Sequence, residues 1–444
     1  MKSQLSESLS FFDSWLFKDV QLSSLFNDSK TFADATPRSS YDEILKLYNL
    51  ERNESDFKLE EFVHRNFEIN SVEEVSCKQK PLSIIEHIEN LWDVLSKQPD
   101  TNNNASLIPL TYSYIVPGGR FQEIYYWDTY FTALGLICSG RHELVENMLN
   151  NFVEIQKTVG CIPNGNRSYY YSRSQPPVLA LLVKLLLPFK EDSNAFLIRY
   201  IPAIETEYEF WMYGAEQLSN DKPEHKRAVR MVDGAVLNRY WDDKDTPRPE
   251  SYLEDIHLAK TIEESARSTL YRDIRAACES GWDFSSRWLK SDEDLSTIQT
   301  TNIIPVDLNC LLYLVEYELA GFYKELANGE LVQKYEQKAN ARKQAINKYL
   351  WSSESNFYFD YLIKEQRLSD VKSLAGVLPL FANLASANQA KIVGNTLQKE
   401  FLKNGGLVTT LTETAQQWDS PNGWAPLHWF AVNGLLNYNQ ESLA

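Results

Sequence analysis

Residues 311–322 read LLYLVEYELAGF, and their apolar spacing is the clearest sign of the fold class. Leu311, Val315, Leu319 and Phe322 recur at intervals of 4, 4 and 3 residues, which places them on one face of an α-helix. Further leucines lie on the adjacent face, a pattern typical of a helix that is buried over much of its surface. The stretch therefore predicts a core helix.

Similar periodicity recurs along most of the chain. Residues 374–384 repeat it. The apolar run at residues 178–187, VLALLVKLLL, is much shorter than the roughly 20 residues that span a bilayer, so it predicts a buried helix. Other predicted helices cover residues 81–97, 126–140, 143–156, 196–218, 262–278, 331–349 and 425–437. These helix–loop–helix segments indicate an all-α, α/α architecture.

Two segments predict β-strands instead. Residues 228–241, AVRMVDGAVLNRYW, form a hairpin candidate. Asp233 and Gly234 at its centre are a typical turn dipeptide. Residues 357–363, FYFDYLI, form the second strand candidate. We therefore expect small β elements within a helical protein.

Composition excludes several classes of partner. The net charge of −17 would repel a nucleic acid. The five cysteines form no Cys-x-x-Cys pair, and the N-terminal MKSQLSESLSFFDSW lacks the apolar run of a signal peptide. Both features predict reduced thiols, no membrane segment and a cytoplasmic location. The six histidines form no metal-binding pattern, so we predict neither metal nor cofactor.

Residues 117–128, PGGRFQEIYYWD, combine groups suited to holding a sugar. The two glycines permit close backbone approach, and Arg120 offers a fork of donors to paired hydroxyls. Phe121 and Trp127 supply flat faces for the C–H side of a sugar ring, and Asp128 can accept from two hydroxyls. The alternative, a Gly-Gly turn opening an aromatic core helix, explains Arg120 and Asp128 poorly.

Two further segments are polar loops. Residues 162–175 read IPNGNRSYYYSRSQ, and residues 238–251 read NRYWDDKDTPRPES. In the second, Pro249 stiffens the placement of its charged neighbours. For the first segment taken alone, a simple turn with Arg173 as a solvated charge is an equally good explanation. For the second segment taken alone, a charged surface loop is the ordinary and preferred explanation. Their candidate ligand groups are Asn164, Arg173, Gln175, Arg248 and Glu250.

Residues 279–288, ESGWDFSSRW, contain the candidate acid. Asp283 lies between Trp282 and Phe284 in the chain, and a desolvated carboxyl there would stay protonated at neutral pH. Such an acid can protonate a leaving oxygen. The alternative is that Asp283 caps the next short helix. In the fifth segment, residues 416–426, QQWDSPNGWAP, Trp418 adds a stacking surface.

These five segments resemble the trehalases, the glycosidases that hydrolyse α,α-trehalose to two glucoses. PGGRFQEIYYWD and QQWDSPNGWAP are similar to the two signatures of that family, and the other three segments occur in the same order between them. The resemblance implies an (α/α)6 barrel, a cofactor-free inverting reaction, and Asp283 as the general acid. The sugar contacts that it implies are Arg120, Phe121, Trp127, Asp128, Asn164, Arg173, Gln175, Arg248, Glu250 and Gly281, to which we add Trp418.

The resemblance also predicts the organisation of the chain. We expect an N-terminal helical extension over residues 1–100 that wraps a catalytic barrel over residues 101–444. In the family the general base is a Glu in a Gly-rich stretch beyond the second signature. No such stretch follows LHWFAVNGLLNYNQESLA, so we expect the base and the last barrel helices beyond residue 444 and weak or absent activity.

Three functions remain open at this point. The leading hypothesis is a monomeric trehalase that takes a small sugar as substrate. The second is a catalytically impaired protein that binds trehalose or another α-glucoside. The third is a related α/α-barrel glycosidase that acts on another α-glucoside.

Overall fold

The chain is mainly helical and divides into two compact units. The first comprises Met1–Ser174 and Thr246–Arg267, and the second comprises Gln175–Asp245 and Ser268–Ala444. Across the described residues, no helix is both long and apolar enough to traverse a lipid bilayer. The computed structural model describes residues 2–69, 82–100, 106–291 and 293–444.

The first unit combines helices with two small strand pairs. Thr36–Pro37 pairs antiparallel with Phe67–Glu68, and Ser96–Lys97 pairs with Tyr114–Ile115. Most predicted helices here are confirmed within a few residues; the first residue of the helix predicted at 81–97 lies outside the described residues. The α-helices are Lys2–Phe12, Trp15–Leu22, Ser29–Ala33, Tyr41–Glu51, Leu59–Asn66, Ile84–Leu95, Tyr126–Cys138, His142–Val159 and Tyr252–Ala259.

An aromatic core holds the first unit together. The ring centroids of Phe11 and Phe32 are 5.9 Å apart, and those of Phe32 and Phe67 are 5.1 Å apart. Phe12 packs edge-on against Tyr169, with 5.7 Å between the centroids. The N-terminal helices are thereby packed against the polar loop that contains the candidate sugar ligands. The predicted boundary at residue 100 stays a prediction.

The second unit contains longer helices and four small sheets. Val306–Glu325 packs against four other helices of this unit. The α-helices of the second unit are Leu179–Leu186, Ser193–Met212, Arg267–Ser280, Val306–Glu325, Gly329–Tyr349, Leu378–Phe381, Ala387–Thr396 and Ala425–Leu436. The helix Arg267–Ser280 belongs to this unit from Ser268 onward. Its strands are Glu224–His225, Ala228–Arg230, Val236–Asn238, Ile303–Ile304, Trp351–Ser352, Phe357–Tyr358, Tyr361–Leu362, Arg367–Leu368, Leu402–Lys403 and Gly406–Leu407.

Val306–Glu325 confirms the predicted core helix. It is buried on most of its surface, so even Glu316 is inaccessible to solvent. That carboxylate accepts hydrogen bonds from Arg342 at 3.0 Å and from the Tyr208 hydroxyl at 2.8 Å. Because a buried charge is costly without partners, this pairing with Arg342 on the neighbouring helix is what allows Glu316 to lie in the core.

The β predictions are confirmed in one case and modified in the other. Ala228–Arg230 and Val236–Asn238 form the predicted antiparallel hairpin, and Gly234 takes the positive φ of +90° that its turn requires. The predicted strand at residues 357–363 is two strands instead. Phe357–Tyr358 and Tyr361–Leu362 belong to different sheets, because the chain leaves one pairing partner and takes another between them.

A buried carboxyl makes the stability of the second unit depend on pH. Asp273 accepts a hydrogen bond from the Thr301 N–H at 2.7 Å, yet burial raises its pKa from 3.8 to about 6. Because the folded-state pKa is the higher one, its contribution to stability is fully present below about pH 4 and is lost as the pH rises through about 6.

We therefore expect Asp273→Asn to stabilise the protein near pH 7, by up to about 3 kcal/mol, and to have little effect near pH 4. Urea denaturation of both proteins at the two pH values measures the difference. Asp370→Asn, at an exposed carboxyl that pairs with Arg367, is the matched control. An equal effect of Asp273→Asn at both pH values would contradict the prediction.

Candidate active site

The Gly-Gly pair of the first segment forms a tight turn in the first unit. Gly118 and Phe121 exchange two backbone hydrogen bonds of 3.1 Å, and both glycines take positive φ values, +97° and +58°. The turn presents Arg120 and Phe121 to solvent, with the guanidinium carbon 5.5 Å from the ring centroid. These two predicted sugar contacts are therefore accessible.

A cavity of about 570 Å³ adjoins this turn within the first unit. Its lining includes Arg120 and the buried Lys30 and Arg167. Both buried cations contact Glu123, at 3.1 Å and 2.8 Å. Among the described lining residues, Arg120 is the only predicted sugar contact. The predicted sugar site as a whole therefore does not coincide with this cavity.

Trp127 and Asp128 lie on the first turn of the helix Tyr126–Cys138. Trp127 is buried and packs edge-on against Phe131, with 5.4 Å between the centroids, whereas Asp128 is exposed. The helix start is joined to the second segment, because the Tyr126 N–H donates to the Asn164 carbonyl at 3.1 Å. The structure thus places Asn164 beside the first signature.

Arg173 connects the second segment to the third. Its guanidinium donates to Glu250 at 2.6 Å and to the Asn164 side chain at 3.3 Å. The guanidinium carbon of Arg173 also lies 5.0 Å from the Tyr170 ring centroid. Arg173 is 1% exposed, so it is not the solvated charge of the alternative explanation. Three predicted ligand groups are therefore brought together.

Arg248 is held by a carboxylate that the sequence analysis did not single out. Its Nη2 donates to Asp255 at 2.6 Å and its Nε donates at 3.0 Å, while its backbone N–H donates to the same carboxylate at 2.8 Å. Asp255 is 2% exposed. The signal in the sequence that could have identified Asp255 was its position on the helix that starts after Pro249–Ser251. The pairing sets the orientation of the guanidinium.

Asp283 lies in the second unit, where its surroundings differ from the prediction. Gly281 ends the preceding helix with a φ of +75°, and Trp282 is then buried at 1% exposure while the Asp283 side chain is exposed. The expected desolvation of Asp283 by its aromatic neighbours is therefore wrong for this structure. The capping alternative is wrong as well, because Ser285 caps Ser286–Trp288.

Trp418 is also placed differently from the expectation. It is 5% exposed and stacks on Trp282 and Trp424, with centroid distances of 5.1 Å and 4.4 Å. Its backbone N–H donates to the Phe284 carbonyl at 3.0 Å. Its ring is thus used for packing beside the Asp283 loop rather than as an open platform for a sugar. Gln175, the first residue of the second unit, is buried at 5% exposure.

The buried cation of Arg287 stabilises the loop that contains Asp283, and the sequence analysis did not identify this role. Arg287 donates two hydrogen bonds to Asp307, at 2.7 and 2.8 Å, and two to Asp360, at 2.7 and 2.9 Å. Burial alone would lower its pKa, but the two carboxylates raise the pKa well above the ordinary value. Both carboxylates come from distant segments, so no local signal in ESGWDFSSRW revealed them.

The first unit contains arginine side chains paired with carboxylates, and the second contains an exposed carboxyl on a loop held by buried contacts. Such groups are typical of acid-catalysed glycoside hydrolases. The family model of the trehalases matches residues 24–444. The chain belongs to the trehalase family. The predicted class of enzyme, a glycoside hydrolase with a small sugar as substrate, is therefore confirmed.

Curated relatives and solved structures agree with this assignment. The periplasmic trehalases of Shigella flexneri and Escherichia coli are 46% identical over 430 residues, which cover 97% of this chain and 76% of theirs. The neutral trehalase of Saccharomyces cerevisiae aligns with a TM-score of 0.62 at 27% identity, over 74% of this chain and 64% of the yeast chain.

A second solved structure bears on the fold alone. A mannosylglycerate hydrolase from Thermus thermophilus, in complex with glucose, aligns with a TM-score of 0.53 at 17% identity, over 81% of this chain and 88% of that chain. Together with the yeast trehalase, it confirms the predicted all-α fold of the (α/α)6 barrel class.

The predicted cytoplasmic location is wrong. The relatives at 46% identity are periplasmic trehalases. The prediction depended on cysteines that were assumed to mark a reducing compartment and on an N-terminal stretch without an apolar run. Among the described cysteines, Cys161, Cys278 and Cys310 are buried and Cys138 is exposed, and burial keeps a thiol from reacting in either compartment. Cysteine usage therefore does not discriminate between the two locations.

Proposed function

We propose that this chain hydrolyses α,α-trehalose to two glucose molecules with inversion at the anomeric carbon, and that Asp283 is the general acid. The observation that carries the proposal is the exposed carboxyl of Asp283 on a loop anchored by buried groups on both sides. Similarity to the periplasmic relatives supports the periplasm as the place of action.

In the proposed reaction, Asp283 donates a proton to the glycosidic oxygen as the bond between that oxygen and the anomeric carbon breaks. A water attacks the opposite face of the sugar and gives up one proton, which passes to a base or to solvent, so the attacked glucose leaves as the β-anomer. The other glucose departs with its α configuration intact. We assign no general base: Asp419, in the second signature segment, is 0% exposed.

The predicted contacts have the role of sugar ligands in this proposal, except Trp418, whose ring packs beside the loop of Asp283. Arg173 and Arg248 each use part of their fork on a carboxylate, Glu250 and Asp255, which fixes the planes of the guanidinium groups before a sugar arrives. Preorganised donors lose little freedom on binding, which lowers the entropic cost of holding a sugar.

Time-resolved proton NMR of trehalose incubated with the protein tests the proposal. Inversion releases α-glucose and β-glucose in equal amounts before mutarotation, whereas retention releases only the α-anomer. Maltose and kojibiose serve as comparison substrates. Faster turnover of either one would identify a different α-glucosidase, and calorimetric binding of trehalose without any glucose release would identify a binding protein instead.

A further inference from the structure

Asp419 is a fully buried carboxylate surrounded by donors. It is 0% exposed. One oxygen accepts from the hydroxyls of Ser285, Ser286 and Thr410, at 2.8, 2.9 and 2.9 Å, and the other accepts from the Ser286 N–H at 2.8 Å and the Thr414 hydroxyl at 2.7 Å. So complete a donor shell means that displacing this carboxylate is costly.

The donors come from two segments that are distant in the chain. Ser285 and Ser286 follow the candidate acid directly, whereas Thr410 and Thr414 precede Asp419 in the C-terminal part. The carboxylate therefore ties the loop after Asp283 to the second signature segment. The Ser286 N–H matters most here, since it fixes the backbone and not only a side chain.

Trp418 holds the residues on both sides of Asp283. Its ring stacks on Trp282 with 5.1 Å between the centroids, and its backbone N–H donates to the Phe284 carbonyl at 3.0 Å. Trp282 is fixed further, because its backbone N–H donates to the Ser280 hydroxyl at 3.0 Å. The exposed carboxyl of Asp283 thus extends from a backbone whose neighbouring residues are immobilised.

We propose that Asp419 is a positioning residue for the general acid, which it serves by clamping the backbone after Asp283. The inference rests on the proposed function of Asp283. A proton donor must meet the glycosidic oxygen within hydrogen-bond reach, and a displacement of 1 Å can cost about 100-fold in rate. Asp419 neither touches the substrate nor transfers a proton.

α-Glucosyl fluoride, used as a second substrate, distinguishes a loss of acid positioning from a general loss of active-site structure. Fluoride is a good leaving group and departs without a proton from an acid, whereas the glucose alcohol of trehalose needs one. Loss of acid positioning therefore lowers kcat on trehalose much more than kcat on the fluoride, with KM for trehalose changed little. A disordered sugar site lowers both activities and raises KM.

The experiment compares wild type, Asp419→Ala and the control Asp370→Ala on both substrates. We expect Asp419→Ala to lower kcat on trehalose by about 100-fold and the ratio of trehalose to fluoride turnover by at least about tenfold. The control should match wild type. Equal loss on both substrates, or no loss on either, overturns the inference.

Two further measurements keep the test decisive. If Asp419→Ala does not fold, Ser286→Ala removes one of the five hydrogen bonds while the Ser285 cap stays in place, and an unchanged substrate ratio then overturns the inference. Hydrogen exchange at the Ser286 N–H needs no turnover. If the wild type hydrolyses neither substrate, the proposed function fails. Hydrogen exchange that is unaltered in Asp419→Ala would overturn the clamp as well. Faster exchange confined to residues 281–288 supports the clamp.

Discussion

Asp283→Asn should lower kcat for trehalose by about 1000-fold, within the range that general acid catalysis contributes. The amide has nearly the same shape as the carboxyl but cannot give up a proton to the glycosidic oxygen. Because the side chain is exposed, the substitution leaves the packing of the loop intact. Steady-state glucose release from trehalose measures the loss.

Three comparisons make this result specific. Turnover of α-glucosyl fluoride should be retained, since fluoride needs no proton. Calorimetric binding of trehalose should also persist, because the arginines of the first unit are unchanged. Asp370→Asn should behave as wild type. Retention of more than about a tenth of the trehalose activity by Asp283→Asn would mean that another group is the acid.

Arg287→Met should destabilise the protein by about 3–5 kcal/mol, the usual cost of removing one partner of a buried ion pair. Arg287 is 1% exposed as a residue and holds the carboxylates of Asp307 and Asp360. It also contacts the rings of Trp282 and Trp288, at 4.7 and 4.4 Å from the centroids. Its loss leaves two buried carboxylates without their shared cation.

Urea denaturation followed by tryptophan fluorescence measures this change. Arg367→Met is the matched control: its guanidinium side chain is 51% exposed and pairs with the exposed Asp370, so it should cost no more than about 1 kcal/mol. Adding Asp307→Asn to Arg287→Met should recover part of the stability, because it removes one of the stranded charges. A loss as small as that of the control would refute the account of Arg287.

The sequence predicted most of the local structure because local structure depends on spacing. Period-3.6 apolar patterns located the helices, and the turn at Asp233 and Gly234 located the hairpin. The Gly-Gly turn, given from the sequence as the alternative explanation of residues 117–128, is present, with positive φ at Gly118 and Gly119. These features need only neighbours in the chain, so a single sequence suffices to infer them.

The candidate acid shows where such reasoning fails. Asp283 adjoins two aromatic residues in the chain, yet Trp282 is buried while Asp283 is exposed. Residues that adjoin in a loop can face different surroundings, so proximity in sequence does not imply desolvation. The roles of Asp283 and of the predicted sugar contacts therefore stay proposals that the experiments above address.

By itself, the sequence determined the family, the helical fold class and the candidate ligands, because these depend on residue types at fixed spacing. Only the tertiary structure decided which groups hold the candidates in place. Asp255 orients Arg248, Glu250 pairs with Arg173, and Asp419 clamps the loop of Asp283. Such pairings join segments that folding alone brings within hydrogen-bond distance.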